Sequence, residues 1–254
     1  MLTQSSTNRL IRHQSDSRTD LGKQAAQTVG SCIRALLTQQ ASINLIFAAA
    51  PSQNEFLDAL VEQPHLDWSR VVAFHMDEYV GLPDYAPQRF GNFLKERIFD
   101  RVLFQSVHYL DGNAPNLAEE CIRYSKLLEQ FPVDIVCMGI GENCHIAFND
   151  PHVADFNDPV LVKVVDLDAA CRQQQVNDGC FKQFADVPTH ALTLTVPALM
   201  QAPNVFCMVP GIHKAQAVYH TLHSPINEKY PSTILRRHEE AHLFIDKDSG
   251  SRLV

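Results

Sequence analysis

Short apolar runs of strand length alternate along the chain with segments whose apolar residues recur at helical spacing, and this alternation most constrains the fold. The predicted strands are residues 43–50, 70–76, 133–138, 160–165, 191–196, 205–209 and 241–245. Helices are predicted over residues 20–39, 52–61, 90–99, 117–128 and 213–222. Strands that are apolar throughout need cover on both faces, which is typical of parallel sheets joined by crossover helices. The sequence therefore predicts a three-layer α/β fold: a mostly parallel, Rossmann-like sheet with helices on both faces.

Length and composition favour one globular domain. The chain has 254 residues, of which 45% are apolar, so it can bury a full core. We predict a single domain over residues 1–254, in which the polar residues 1–18 form an N-terminal extension. This start has no hydrophobic signal core, and no apolar run reaches the length of a membrane span. We therefore expect a cytoplasmic protein that does not bind membranes.

The charge distribution argues against a nucleic-acid partner. The formal net charge is −8, and the basic residues cluster only at Arg236 and Arg237. A nucleic-acid-binding domain usually presents a basic face. We therefore expect a small-molecule ligand. The sequence does not fix the number of subunits, and a homo-oligomer is one of the open expectations.

The seven cysteines and twelve histidines form no pattern of a disulfide framework or a metal site. The number of cysteines is odd, no CxxC pair occurs, and several cysteines lie inside apolar runs. Buried free thiols in a reducing compartment are therefore expected. His220 and His223 share a helical spacing, but a solvated surface pair is favoured over a zinc site. The sequence accordingly predicts neither a metal nor an organic cofactor.

Two adjacent carboxylates, Asp77 and Glu78, directly follow the apolar run over residues 70–76. The ordinary interpretation of an isolated Asp-Glu pair is a helix N-cap or a solvated turn. The functional interpretation is a general base at the carboxyl edge of the sheet, where parallel α/β proteins bind ligands. Partial desolvation at such an edge raises the pKa of a carboxyl group.

A second candidate, residues 139–151, follows the strand predicted over 133–138 and reads GIGENCHIAFNDP. Gly139 and Gly141 permit a tight turn and a close approach of the backbone to a ligand. The third glycine of a dinucleotide-binding fingerprint is missing. His145 suits acid/base chemistry near neutral pH, and Asp150 could orient its ring. A lone histidine is more often structural, so this loop alone only suggests a site.

Several separated segments together resemble the signature segments of glucosamine-6-phosphate deaminases. They occur in the expected order from the first predicted strand to the end of the chain: MDEYVGLP (76–83), YLDGNAP (109–115), GIGENCHIAFNDP (139–151), PTHALTLTV (188–196) and PGIHKAQAV (210–218). The wider group includes 6-phosphogluconolactonases, which usually have Asp-Glu-Arg where this chain has Asp77, Glu78 and Tyr79. The resemblance therefore favours the deaminase branch.

The resemblance implies a cofactor-free hydrolase of amino-sugar metabolism and gives the site residues their roles. Asp77 would be the base that moves a proton between C2 and C1 of the open-chain sugar, and His145 would open the sugar ring. Asp150 would set the charge and orientation of the imidazole, with Asn143 beside it in the catalytic group. Lys214 matches the lysine that binds the 6-phosphate. The other expected substrate-binding residues are Glu78, Ser52 and Gly141.

Three departures from the family pattern leave the exact substrate open. The phosphate loop, usually Thr-Gly-(Gly/Ser)-Thr-Pro, is here Ala49-Ala50-Pro51-Ser52-Gln53, so the glycines are gone and the proline removes a backbone donor. Asn143 replaces an aspartate that precedes the histidine. The usual phosphate-binding arginine has no match in residues 174–181, and Arg172 lies out of register. A lactonase, a deaminase of another hexosamine phosphate and a catalytically weak sugar-phosphate-binding protein remain as alternatives.

Overall fold

The computed structural model describes residues 9–253, which form ten strands and seven α-helices. The strands are β1 (Ile11–Ser15), β2 (Ile43–Phe47), β3 (Val71–His75), β4 (Asp77–Tyr79), β5 (Ser106–His108), β6 (Ile135–Met138), β7 (Val162–Asp166), β8 (His190–Leu194), β9 (Asn204–Val209) and β10 (Ala241–Asp246). The helices are α1 (Arg18–Leu37), α2 (Asn54–Val61), α3 (Phe90–Leu94), α4 (Leu117–Gln130), α5 (Ala169–Asn177), α6 (Val196–Met200) and α7 (Ala215–His223). Seven strands build the main sheet in the order β1-β10-β9-β6-β2-β3-β5, and every neighbouring pair is parallel.

The side chains of the central strands alternate between two hydrophobic clusters, one on each face of the main sheet. On β2, Leu45 and Phe47 belong to one cluster and Ile46 to the other. The first cluster also contains buried residues of α1 and α2, and the second contains those of α4 and α7. Successive side chains of a strand point to opposite faces, so helices on both sides require strands that are apolar throughout. The predicted three-layer α/β fold is confirmed.

The strands β4, β8 and β7 form a separate antiparallel sheet of three strands. The strands predicted over residues 160–165 and 191–196 therefore exist, but they do not join the parallel sheet. In β7, Val162 and Val165 are buried while Val164 is exposed. Strands of an antiparallel sheet need not be apolar throughout, because part of such a sheet can remain open to solvent. The chain enters this sheet directly from β3, so the residues that follow β3 are held in a strand and not in a loop.

The predicted N-terminal extension over residues 1–18 is wrong for the part that the structure describes. Ile11–Ser15 is an edge strand of the main sheet and pairs in parallel with β10. Helix α1 then begins at Arg18, and the side chain of Ser17 caps it by accepting a hydrogen bond from the backbone of Asp20. An edge strand has one side open to water and is commonly polar, so it does not appear as an apolar run in the sequence. Residues 1–8 lie outside the described range.

The segment before α2 also differs from its prediction. Pro51–Gln53 forms a 3-10 turn, and α2 begins only at Asn54. Ser52, the first residue of the predicted helix, lies inside this turn, and no side chain caps either the turn or α2. Its hydroxyl instead accepts a hydrogen bond of 3.1 Å from the side-chain amide of Gln53. The Ser52 side chain thus remains at the carboxyl end of β2 and faces the cleft described below.

The cysteines are free thiols, as the sequence predicts. All seven are unpaired, and Cys137, Cys144, Cys171 and Cys207 are buried. Burial raises the pKa of each of these four thiols. Within residues 9–253, no helix combines the length and the apolar character that a membrane crossing requires.

Candidate active site

A cleft opens at the carboxyl edge of the main sheet, where the sequence predicts ligands to bind. Segments that follow β2, β3, β6 and β9 line it together with residues of α5. Five of the eight predicted site residues line the cleft: Ser52, Asp77, Gly141, His145 and Lys214.

Asp77 is a buried carboxylate that the protein leaves without a hydrogen bond. Its residue is 7% exposed, and within the described range its side chain accepts no bond from another group. Burial, and then the neighbouring charge of Glu78, raise the pKa of Asp77 well above its usual value. A carboxylate in this environment is a stronger base than one in water. Asp77 therefore has the placement and the basicity of a general base.

Two contacts hold the backbone around Asp77. Its residue pairs with Thr193 of β8 in the antiparallel sheet. His75 Nδ1 donates to the backbone carbonyl of Asp77 at 2.9 Å, while His75 Nε2 accepts from the N–H of Leu110 at 2.9 Å. Burial lowers the pKa of His75 to about 4, so the ring is neutral and can donate through one nitrogen and accept through the other. His75 thereby connects the end of β3 to the turn after β5.

Glu78 points away from the cleft, because neighbouring residues of a strand face opposite sides. Its carboxylate accepts hydrogen bonds from the backbone N–H groups of Phe90, Gly91 and Tyr79, at 3.0, 3.0 and 2.9 Å. Arg89 lies 3.7 Å from it. Two of these donors belong to the first turn of α3, where a carboxylate is stabilising. Glu78 thus lies outside the cleft lining, and its carboxylate stabilises the start of this helix.

His145 lies in a tight loop that needs unusual backbone conformations. Cys144 and Ala147 have φ angles of 72° and 47°, in the left-handed region. A Cβ atom on Gly141 would lie 2.1–2.3 Å from atoms of the His145 ring, so only glycine allows the ring to rest against this backbone. Strained conformations of this kind persist where the surrounding structure imposes them, often at functional sites. The sequence predicts that Gly141 lets the backbone approach a ligand. In the structure, this glycine is needed first for the packing of the His145 ring.

A hydrogen-bond network fixes the tautomer of His145. Its Nδ1 lies 2.7 Å from Oδ1 of Asn143 and 3.1 Å from Oδ1 of Asp150. The side-chain amide of Asn143 donates to Asp150 at 2.9 Å and to Asp168 at 3.1 Å, which leaves its oxygen to face the histidine. Both partners of Nδ1 are therefore acceptors, and Nδ1 carries the proton. Nε2 keeps its lone pair and can take up a proton.

Asp150 is fully buried behind His145 and outside the cleft lining. Burial alone would raise its pKa, but hydrogen bonds from His145, Asn143 and the backbone of Asp168 outweigh burial and lower the pKa. An ionised carboxylate beside an imidazole stabilises the imidazolium form. The arrangement supports the predicted role of Asp150 in setting the charge and orientation of the ring.

Lys214 supplies the positive charge of the cleft. Its residue is 7% exposed, and burial lowers the pKa of its ammonium group. Within residues 9–253 this ammonium has no hydrogen bond or ion pair to the protein. The turn that carries it begins at Gly211, whose φ of 96° is a conformation that suits glycine. A buried cation that the protein itself does not satisfy is a natural contact for an anionic ligand.

Neither Arg172 nor the partly buried Arg89 lines the cleft. Arg172 donates to the backbone carbonyls of Phe184 and Val187, at 3.1 and 2.9 Å, and its guanidinium lies over the ring of Phe184. Arg89 forms ion pairs with acidic residues around α3, among them Asp84. Both guanidinium groups are thus held elsewhere by the protein.

The fold brings together two groups of side chains with metal-ligand chemistry, which the sequence does not predict. One comprises His145, Asp150 and Cys171, and the other comprises Asp150, His152 and Asp168. In the first group, Nδ1 of His145 already donates to the side-chain oxygens of Asn143 and Asp150. Burial raises the pKa of Cys171 well above its usual value, which disfavours the thiolate that a metal needs. The first group is therefore better explained as a hydrogen-bond cluster that supports the histidine.

Helix α5 contributes three lining residues that sequence reasoning missed: Gln174, Gln175 and Asp178, the last at its C-cap. The helix is mostly polar and has no helical pattern of apolar residues that would reveal it. Its only local signal is Asp168, whose side chain caps the helix by accepting from the N–H of Cys171. The same aspartate accepts from Asn143, so the cap of α5 is joined to the histidine network.

Comparisons with known proteins add evidence from sequence and fold. The family model of glucosamine-6-phosphate isomerases and 6-phosphogluconolactonases matches residues 16–244. The glucosamine-6-phosphate deaminase of Bacillus cereus (strain B4264) is 38% identical over 186 residues, which is 73% of this chain and 69% of the relative. The enzyme of that name from an Exiguobacterium species is 36% identical over 193 residues, covering 76% and 74% of the two chains.

Solved structures of both branches of the family share the fold. A monomeric glucosamine-6-phosphate deaminase superposes with a TM-score of 0.87 and 25% identity, over 95% of this chain and 99% of the other. The 6-phosphogluconolactonase of Thermotoga maritima reaches a TM-score of 0.77 at 20% identity, over 94% and 100% of the two chains. With the family match over most of its length, this chain belongs to the family of glucosamine-6-phosphate isomerases and 6-phosphogluconolactonases.

Proposed function

We propose that the protein converts glucosamine 6-phosphate, or a closely related amino-sugar phosphate, to a ketose phosphate and ammonia. One observation carries the proposal: Asp77, His145 and Lys214 come from three distant parts of the chain and line one cleft. Together they offer a base, a ring-opening acid/base and a cation for phosphate. Relatives named glucosamine-6-phosphate deaminase add support from sequence. The cytoplasm remains the proposed compartment.

Ring opening is assigned to His145. Its free Nε2 would take the proton from O1 of the cyclic sugar and return it to the ring oxygen O5, which breaks the bond between C1 and O5. The imidazolium that forms in between would be stabilised by Asp150. Asn143 would hold the ring in the required tautomer by accepting from Nδ1.

Isomerisation and deamination are assigned to Asp77. Its carboxylate would remove the proton from C2 of the open-chain aldehyde and deliver it to C1, while a second proton passes from the ammonium group of the sugar to O1. The carbonyl carbon is thereby reduced to an alcohol, and C2 becomes an iminium. Water would then add to C2 and ammonia would leave, giving the ketone. The net reaction consumes one water and needs no oxidant or reductant, so the enzyme is proposed to be a hydrolase in overall chemistry.

Ammonia release tests the proposal directly. The purified protein should release ammonia and a ketose phosphate in equal amounts from glucosamine 6-phosphate. Other hexosamine 6-phosphates and 6-phosphogluconolactone belong in the same panel, because lactonases share the fold. Hydrolysis of the lactone without ammonia release from any amino sugar would move the protein to the other branch of the family. Binding of sugar phosphates without turnover would make it a binding protein.

Replacing Lys214 with alanine should raise KM for the amino-sugar phosphate roughly 10- to 100-fold, with a smaller effect on kcat. A charge-assisted hydrogen bond contributes about 1.5–3 kcal/mol, and a contact that is equally strong in the ground and transition states affects KM. Steady-state kinetics of ammonia release measures both constants. Lys182→Ala removes an exposed lysine outside the cleft lining and is the matched control. An unchanged KM in the Lys214 variant would contradict the phosphate contact.

A further inference from the structure

Arg18, the first residue of α1, lies against two segments that meet at one end of the cleft. Its Nη2 donates to the backbone carbonyl of Pro51 at 3.0 Å, directly before Ser52 of the cleft lining. Its Nη1 lies beside Gly211, where a Cβ atom would be 3.7 Å away from it. Gly211 begins the turn that carries Lys214. The guanidinium therefore lies between the loop after β2 and the turn after β9, next to the proposed phosphate contact.

Glu55 fixes the orientation of this guanidinium. Nε of Arg18 donates to Oε1 of Glu55 at 2.9 Å, and Nη2 donates to Oε2 at 3.0 Å. A two-pronged pair of this kind sets geometry as well as energy. With the bond to Pro51, three of the five N–H groups of the guanidinium are used. The two on Nη1 have no hydrogen bond or ion pair within residues 9–253. Arg18 thus presents one free edge in a fixed direction.

Arg18 and Lys214 both lie within reach of the Asp178 carboxylate. The hydrogen bonds to Glu55 raise the pKa of Arg18 most, and the charge of Asp178 raises it further. Burial lowers the pKa of Lys214, and the attraction of Asp178 is the largest opposing effect. Asp246 also acts on Arg18, but both its oxygens already accept from the backbone N–H that begins the turn before Lys214. Charges interact strongly only at short range, so the two cations belong to the same end of the cleft.

The altered loop after β2 explains why an arginine is needed at this place. Pro51 has no N–H to donate to an anion, but its carbonyl holds a guanidinium that has two free ones. Arg172 and Arg89 are held elsewhere by the protein. A guanidinium binds phosphate through charge-assisted hydrogen bonds, which are stronger than those of neutral backbone donors. Arg18 therefore offers what this loop has lost.

We propose that Arg18 binds the phosphate of the substrate through Nη1, together with Lys214, in place of the backbone donors that the loop after β2 lacks. The inference rests on the proposed function for the class of ligand, but it concerns binding alone. Glu55 is then a positioning residue, because it occupies the other edge of the guanidinium. The structural alternative is that Arg18 only joins α1 to α2 through Glu55.

The test measures binding of fructose 6-phosphate to the intact protein by isothermal titration calorimetry. Arg18→Met keeps the length of the side chain and removes the guanidinium, so it should raise Kd about tenfold. Arg12→Met removes the same charge at an exposed position outside the cleft lining and should leave Kd unchanged. Glu55→Gln breaks the ion pair but keeps an acceptor for Arg18, and it should change Kd less than about threefold.

Thermal unfolding of the same variants separates binding from structure. Arg18→Met and Glu55→Gln both lose the link between α1 and α2, so both should unfold at a lower temperature than wild type. Only Arg18→Met should lose affinity. A Kd in Arg18→Met within twofold of wild type overturns the inference, and so does an equal loss of affinity in Glu55→Gln.

A second variant keeps the test open if Arg18→Met does not fold. Arg18→Lys retains a cation for Glu55 but loses the forked geometry, so it should raise Kd at least threefold, and an unchanged Kd would overturn the inference. Wild-type protein that does not bind fructose 6-phosphate overturns it as well. Because binding is measured without turnover, the outcome is separate from that of the ammonia assay. Absence of ammonia release together with the expected loss of affinity would reject the proposed reaction and retain the role of Arg18.

Discussion

Replacing Asp77 with asparagine is expected to reduce the rate of ammonia release about 10²- to 10⁴-fold, with little change in substrate affinity. Asparagine keeps the shape of the side chain and removes the group that takes the proton from C2, and a general base contributes about this factor. The carboxylate lines the cleft and accepts no hydrogen bond within the described residues. The substitution therefore breaks no structural contact of this side chain. Single-turnover kinetics with glucosamine 6-phosphate measures the effect.

The same variant should not destabilise the fold. The pKa of Asp77 is raised in the folded protein. Protonation of Asp77 therefore favours the folded state, and this contribution is lost as pH rises through the folded pKa. Above that pKa the buried ionised carboxylate opposes folding, and asparagine removes this charge. Thermal unfolding at neutral pH should consequently occur at the same temperature as in wild type, or at a higher one.

The adjacent carboxylate provides the contrasting control. Glu78→Gln weakens the acceptor for three backbone N–H groups, two of them at the start of α3. It should lower thermal stability, because both carboxylate oxygens accept from backbone N–H groups, and the side-chain NH2 of glutamine would face at least one of these donors. Its effect on turnover should be much smaller than that of Asp77→Asn. Near-normal turnover in Asp77→Asn, or equal losses in both variants, would refute the assignment of the base.

The sequence predicts where the site lies better than it predicts which residues form it. The strands β2, β3, β6 and β9 are buried on both faces and appear as continuous apolar runs, so their carboxyl ends can be read directly. Residues just after these ends, such as Asp77 and Gly141, therefore follow from the fold class. The motif resemblance then adds the roles that the apolar pattern alone cannot assign.

The strands and helices that are not predicted from the sequence have little apolar periodicity. Strand β1 is a polar edge, β4 has only three residues, and α5 is a polar helix. Each is held by tertiary pairing or by a cap and not by an amphipathic face of its own. Asp178 belongs to such an element, so its place in the cleft follows from how α5 is fixed to the histidine loop. Sequence reasoning finds the base and the histidine but misses the residues that α5 contributes to the cleft lining.

Replacing His145 with glutamine should slow ammonia release about 10²-fold or more while changing hydrogen exchange at C1 of the ketose phosphate less than about tenfold. The two readouts separate because His145 acts on O1 and O5 of the cyclic sugar, whereas the exchange at carbon depends on Asp77. Exchange is measured by NMR as incorporation of deuterium from heavy water into fructose 6-phosphate, and ammonia release is measured on the same preparations.

The neighbouring aspartate distinguishes a chemical role of His145 from a structural one. Asp150→Asn keeps an acceptor for Nδ1 of the histidine but removes the charge that stabilises the imidazolium. If His145 moves protons during ring opening, this variant should show a smaller loss of the same kind: ammonia release falls and C1 exchange is largely kept. If the histidine only shapes the loop, Asp150→Asn should leave both activities nearly unchanged. Equal loss of both activities in His145→Gln would show instead that the ring is needed for the whole site, because its contact with Gly141 seats the loop that follows β6.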